Sequence, residues 1–192
     1  MEKKRCWWCG DDPLYVAYHD TEWGVPVKDD RSLFEFLILE TFQAGLSWIT
    51  VLRKRENFKN AFDAFDYRKV ALYSEEKIQE LLNNPGIIRN KLKVRAAVTN
   101  AQAFMAVQKE FGSFSDYIWG FVDGTPIQNS RSTKEEVPAT TLLSDAVSAD
   151  LKKRGFKFVG STVVYAHMQA TGMVNDHLTH CFRYEEVSKT VK

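Results

Sequence analysis

Apolar residues recur along most of the chain at the three- and four-residue spacing of helices that bury one face. Residues 31–44 are apolar on almost every side, which predicts a buried helix capped by Asp29 or Asp30. Residues 90–110 keep a helical period and stop before Gly112, which predicts one long helix. These two segments indicate an all-α fold.

Capping residues and helix breakers predict the remaining helices. We expect Ser47 to cap a helix that runs towards Phe65, Asp66 to open a short one, and Ser74 to begin one that ends before Pro85. Two more helices are predicted over 142–154 and 161–171. Residues 156–160 are the one strand-like stretch, and the polar residues 129–138 predict a surface loop.

The composition is that of a globular protein, with 44% hydrophobic and 27% charged residues among 192. We expect one domain over residues 1–192, since no repeat or flexible linker divides the chain. The net charge of +1 excludes a strongly basic coat, so any nucleic-acid contact must be local. We see no signal peptide or membrane-spanning stretch and expect a cytoplasmic monomer.

Cysteine and histidine are concentrated at the two ends of the chain, and an odd count of three cysteines does not suit a disulfide framework. Zinc in proteins takes four such ligands in a tetrahedron. If residues 177–181 are helical, His177 and Cys181 point the same way. Spacing leaves several N-terminal partners open, and it is equally compatible with thiols and imidazoles that bind no metal. The candidates are Cys6, Cys9, His19, His177, His180 and Cys181.

Glu40 is the most informative single residue, because its helical spacing places a carboxylate in an apolar stripe. Burial of an unpaired charge costs several kcal/mol, so Glu40 either pairs with another residue or serves a ligand. Aromatic rings that could stack on a flat cationic ligand surround it in the sequence, although core packing would also explain them. They are Trp7, Trp8, Tyr15, Tyr18, Trp23 and Trp48.

A tight turn with basic residues, PGIIRNK, joins two predicted helices. The free N–H groups at the start of the second helix and the nearby cations suit a phosphate. A plain turn with a solvated basic face is the alternative. The candidate phosphate contacts are Gly86, Arg89, Lys91 and Lys93.

Five segments in order along the chain closely resemble the 3-methyladenine DNA glycosylase I family. They are DPLYVAYHDTEWGVP (12–26), FQAGLSWITVLRKREN (42–57), PGIIRNK (85–91), LKKRGFKFVGST (151–162) and GMVNDHLTHC (172–181). The resemblance extends from about Cys6 to Cys181, nearly the whole chain.

This resemblance implies an all-α, helix-hairpin-helix glycosylase fold, with the hairpin helices around 74–110. It implies one structural Zn²⁺ that joins the terminal segments, 1–26 and 172–184, through Cys6, His19, His177 and Cys181. Cys9 and His180 are then additional. The base pocket would use Glu40, Tyr18 and Trp48 for catalysis, with Trp23, Trp8 and Tyr15 as further base contacts.

The implied reaction is removal of 3-methyladenine, and more weakly of 3-methylguanine, from alkylated double-stranded DNA in base excision repair. Methylation makes the base a cation that leaves as a neutral molecule, so no general acid is required, and we find no lysine placed as a Schiff-base nucleophile. We therefore expect a monofunctional enzyme. The alternatives are a non-catalytic, zinc-stapled DNA-binding or lesion-sensing module and a glycosylase for 7-methylguanine or hypoxanthine.

Overall fold

The computed structural model describes residues 3–189, and the ends of the expected domain, 1–2 and 190–192, lie outside that range. Eleven α-helices account for most of the described chain, which confirms the all-α prediction. They are α1 (Pro13–Thr21), α2 (Asp30–Gln43), α3 (Trp48–Leu52), α4 (Arg55–Ala61), α5 (Tyr67–Val70), α6 (Glu75–Asn83), α7 (Lys91–Phe111), α8 (Phe114–Gly120), α9 (Leu142–Lys153), α10 (Ser161–Ala170) and α11 (Phe182–Lys189).

Helix α2 lies at the centre of the fold. The Asp29 side chain caps it by accepting a hydrogen bond from Ser32 N at 2.9 Å, and all residues from Leu33 to Phe42 except Glu35 are buried. It packs against α3, α7, α8 and α10. Phe34 meets Phe104 of α7 edge to face, with the ring centroids 5.2 Å apart. A helix buried on nearly every side carries Glu40 into the interior, as its sequence predicted.

The helix predicted from Ser47 towards Phe65 begins after Ser47 as expected, but the Ser47 side chain does not cap it and the chain breaks into α3 and α4 at residues 53–54. The break turns Arg55 towards two carboxylates, Glu35 and Glu22, each 2.6 Å away. It also places the ring of Phe58 in the core. Tertiary ion pairing and burial therefore override a continuous helical pattern here.

The predicted strand at 156–160 is also wrong, since these residues form an irregular turn between α9 and α10. Buried polar side chains hold the turn: Asn100 bonds both the N–H and the carbonyl of Lys157, and Ser148 donates to Val159 O. Two short strands form elsewhere, β1 (Ile127–Gln128) and β2 (Val174–Asn175), and they pair in parallel.

The two ends of the described chain pack together. Phe182 N donates to Lys4 O at 3.0 Å, and Val27 N donates to Thr171 O at 3.0 Å. Gly172 has a φ of +70°, and a Cβ on it would lie 2.5 Å from Pro26 N, so only glycine fits this contact. Within residues 3–189, no helix combines the length and apolar character needed to cross a membrane.

Candidate base pocket and metal centre

Four ligand atoms from the two ends of the chain converge on one buried point. Cys6, His19, His177 and Cys181 are all buried, and their ligand atoms lie within 4.8 Å of one another. Cys6 Sγ is 3.5 Å from His177 Nδ1, and Cys181 Sγ is 3.5 Å from His19 Nε2. Two thiols and two imidazoles at this spacing could hold one metal ion.

The local structure of the second half of this cluster differs from the prediction. His177 and Cys181 lie in a turn that precedes α11, not on a helix. Cys9 stays outside the cluster, since its thiol donates to Cys6 O at 3.2 Å, and His180 is exposed. The geometry therefore brings together the four residues that the resemblance implied.

Neighbouring groups orient the two imidazoles. His19 Nδ1 lies 2.8 Å from Asp20, whose carboxyl pKa is lowered to about 2, mainly by its hydrogen bond with Arg5. His177 donates through Nε2 to Trp23 O at 3.0 Å. Each ring thus turns its other nitrogen towards the cluster, the arrangement common around metal-binding histidines. Hydrogen bonds from Cys6 and both imidazoles lower the pKa of the Cys181 thiol.

A cavity of about 260 Å³ adjoins the metal-ligand cluster, and all six predicted pocket residues line it. These residues are Trp8, Tyr15, Tyr18, Trp23, Glu40 and Trp48. Two of the rings separate the cavity from the cluster: Trp8 lies 5.0 Å from Trp23, and Trp23 meets the His177 ring edge to face at 4.7 Å. Tertiary packing therefore turns aromatic residues that are near Glu40 in the sequence into the walls of one chamber.

Glu40 is only 4% exposed, and no residue in the described range 3–189 pairs with or hydrogen-bonds its carboxyl group. Burial raises the pKa of Glu40 to about 8, with no neighbouring charge contributing to the shift. Tyr18, 5.5 Å from Trp48 between ring centroids, has its pKa raised well above 10, first by burial and then by Glu40. An unpaired acid in such a chamber favours a cationic or hydrogen-donating ligand.

The sequence did not identify the remaining walls of the cavity. The predicted surface loop contributes Val137 and Pro138, Ala139 follows it, and α10 contributes a stripe of side chains at helical spacing. The only local signal in the loop was the apolar run that interrupts its polar residues. Trp7, one of the aromatic rings near Glu40 in the sequence, also lines the cavity, and the missed lining residues are Gln43, Val137, Pro138, Ala139, Thr162, Tyr165, Ala166 and Gln169.

The basic turn between α6 and α7 is exposed in part. Arg89 and Lys91 are exposed, and neither has an ion-pair partner among residues 3–189. Lys54 supports the turn by donating to the carbonyls of Pro85 and Gly86 at 3.1 and 3.3 Å. A Cβ on Gly86 would lie 2.9 Å from Asn84 Oδ1.

Lys93 departs from the prediction that it faces a phosphate. It is 6% exposed, and its ammonium group donates to Phe42 O at 3.0 Å and Ala44 O at 2.7 Å. These carbonyls lie at the carboxyl end of α2, where a cation favours the helix dipole. Lys93 therefore holds the end of the helix that carries Glu40 and has no free charge for DNA.

Comparisons with known proteins agree over nearly the whole chain. The family model described as methyladenine glycosylase matches residues 8–184. DNA-3-methyladenine glycosylase 1 of Escherichia coli (strain K12) is 50% identical over 181 residues, 94% of this chain and 97% of that protein. A crystal structure of 3-methyladenine DNA glycosylase I has 52% identity and a TM-score of 0.91, covering 93% of this chain and 98% of that one. A variant of 3-methyladenine DNA glycosylase I in complex with 3-methyladenine has 35% identity and a TM-score of 0.89, covering 91% and 96%.

Proposed function

The chain belongs to the methyladenine glycosylase family, and from this premise we propose how its residues 1–192, as one domain, act on DNA. The protein is a DNA glycosylase that excises 3-methyladenine from alkylated DNA. The observation that carries the mechanism is the buried, unpaired Glu40 in an aromatic cavity of about 260 Å³. A cavity of that size suits one purine base that has been flipped out of the duplex.

The reaction requires little chemistry from the enzyme. The bond between C1′ and N9 breaks, its electron pair neutralises the cationic base, and water adds to C1′ and releases its proton. Because the leaving base is already activated, catalysis consists of flipping the lesion and favouring the positive charge that develops on the sugar. This accounts for a site in which no acidic residue needs to protonate the base.

Within the cavity, Glu40 accepts a hydrogen bond from the exocyclic amine of the base and favours its positive charge. Tyr18 and Trp48 stack on the base, and Trp8, Trp23 and Tyr15 complete the chamber. Cation–π attraction strengthens as the site loses water, so a neutral adenine gains less from these rings than the methylated cation does. The difference supplies selectivity against the excess of undamaged bases.

The metal that fits the Cys6, His19, His177 and Cys181 cluster best is zinc. Two thiolates and two imidazoles are a complete tetrahedral set, which leaves no open position for activating water. When bound, such an ion would join the terminal segments and add folding free energy rather than chemistry. Trp23 lies against His177, so the ion would also support one wall of the base pocket.

Two helical hairpins could hold the duplex. The α6–α7 turn offers Gly86, Arg89 and Lys91 to the phosphates, whereas Lys93 is buried against the end of α2. The α9–α10 turn, 154–160, is a second element of the same kind, since it joins two closely packed helices and leads into Thr162 at the cavity. Both hairpins present helix N-termini, which favour phosphate.

The deciding experiment is to incubate the protein with methylated duplex DNA and identify the free bases released by chromatography. Release of 3-methyladenine without strand cleavage is the expected result. Binding without release would indicate a lesion-sensing module, and release of 7-methylguanine would indicate a different base specificity. Either outcome would overturn the proposed reaction.

A further inference from the structure

A buried carboxylate, Asp176, directly precedes the metal-ligand candidate His177, accepts hydrogen bonds from two residues of the base pocket and has no role in the mechanism above. Its side chain is fully buried and one residue before His177. Four hydrogen-bond donors converge on it. Its Oδ1 accepts from Asn129 Nδ2 at 2.6 Å and Arg131 Nε at 3.0 Å, and its Oδ2 accepts from Tyr165 Oη at 2.6 Å and Gln169 Nε2 at 2.8 Å.

Two of these donors, Tyr165 and Gln169, line the base cavity. A third, Arg131, also donates to Glu136 O and to the Tyr165 hydroxyl, and so ties the loop that carries Val137 to the same carboxylate. Asp176 therefore organises the pocket wall that α10 and this loop form. Such a network holds its members in one orientation because each buried polar group must be satisfied.

The orientation of the Gln169 amide follows from the chemistry of its partner. A carboxylate accepts hydrogen bonds and has none to donate, so the amide must turn its NH₂ group towards Asp176. Its carbonyl oxygen, Oε1, is then left at the cavity with no donor from residues 3–189. The wall presents a fixed hydrogen-bond acceptor to the base.

We propose that Gln169 is a specificity-determining residue that accepts a hydrogen bond from the 6-amino group of the methylated purine, and that Asp176 is the positioning residue that fixes its amide. The inference rests on the proposed base pocket. With Glu40 also an acceptor, the pocket favours a 6-amino purine and disfavours a 6-oxo purine, whose oxygen has no hydrogen to donate. Asp176 thus sets the preference for 3-methyladenine over 3-methylguanine.

Asp176→Asn tests this chemistry while it keeps the side-chain shape. Arg131 cannot accept a hydrogen bond, so the NH₂ group that the substitution introduces must face Tyr165 and Gln169. The Gln169 amide then turns its oxygen to that NH₂ group and its own NH₂ to the cavity, where it matches a 6-oxo group. We expect the ratio of 3-methyladenine to 3-methylguanine release to fall about tenfold, the effect of one exchanged hydrogen bond.

The assay measures both bases released from the same methylated duplex under single-turnover conditions. Gln169→Leu, which removes the acceptor alone, should also lower the ratio and keeps the test available if the Asp176 variant does not fold. Asn129→Ala is the matched control, because it removes one donor to Asp176 outside the cavity. It should lower the melting temperature and leave the ratio unchanged.

An unchanged ratio in Gln169→Leu would overturn the role of Gln169. If Asp176→Asn, like Asn129→Ala, slowed the release of 3-methyladenine and of 3-methylguanine by the same factor, Asp176 would be a structural residue only. Wild-type protein that released neither base would instead contradict the proposed function itself, so the two failures are distinguishable.

Discussion

Glu40→Gln should make the protein more stable at neutral pH while it removes activity, because Glu40 is an uncompensated acid in the core. Its pKa is raised from 4.5 to about 8 by burial. Below pH 4.5 the Glu40 carboxyl group is neutral in both the folded and the unfolded chain, so its ionisation does not lower the free energy of unfolding. Above pH 4.5 the unfolded chain ionises first, so stability is lost as the pH rises until the folded group ionises near pH 8.

The size of this effect follows from the pH interval. Each pH unit between the two pKa values removes about 1.4 kcal/mol, so the free energy of unfolding should fall by about 3 kcal/mol between about pH 5.5 and 7.5 from this one residue. Glutamine does not titrate and nearly matches the shape of glutamate. The difference in unfolding free energy between the variant and the wild type should therefore widen by that amount over the interval.

Urea unfolding followed by tryptophan fluorescence at both pH values measures this difference. The exposed Glu56 supplies a matched control, since Glu56→Gln should leave the difference nearly constant. Release of 3-methyladenine by Glu40→Gln should fall at least about tenfold, because a bound cationic base lowers the pKa of Glu40 and favours its carboxylate, and glutamine cannot supply that negative charge. Parallel stability curves for Glu40→Gln and wild type would refute the interpretation of Glu40 as a buried, unpaired acid.

Three further predictions concern the metal, the DNA surface and a close backbone contact. Metal analysis should find one zinc per chain, and Cys181→Ser should lower the melting temperature more than it lowers turnover at a permissive temperature; absence of zinc from fresh protein would contradict this. Arg89→Ala should weaken binding to damaged and undamaged DNA equally and reduce its salt dependence, whereas Lys93→Met should leave the salt dependence intact and destabilise the fold by about 2 kcal/mol. Gly172→Ala should lower the free energy of unfolding, measured by chemical denaturation, by about 3 kcal/mol or more. Gly120→Ala, which has open space at its Cβ, should change that free energy little.

Local patterns in the sequence were enough to predict the all-α class and the long helices. Asp29, Asn90 and Gly112 act through neighbours within one helical turn, so their roles can be identified without the fold. The same applies to Glu40, because a charged residue inside an apolar helical stripe is unusual wherever the helix is placed. The resemblance of five segments then supplied the ligand set and the chemistry.

Local patterns failed where distant contacts control the backbone. The break between α3 and α4 follows from ion pairs of Arg55 with Glu22 and Glu35, and the turn at 156–160 from Asn100 in another helix. None of these three partners is near in sequence to the residue that it contacts, so helical or strand periodicity could not reveal them.

The sequence by itself determined which chemical groups the protein has: a buried acid, aromatic rings, two thiols with two imidazoles, and a basic turn. Only the tertiary structure decided how these groups are used. Lys93 and Lys91 have the same charge and are two residues apart, but one is buried against the end of α2 and the other is exposed. Likewise, the amide of Gln169 has a defined orientation only because Asp176 packs beside it. Hydrogen bonding and burial depend on neighbours in space, and the fold alone provides those neighbours.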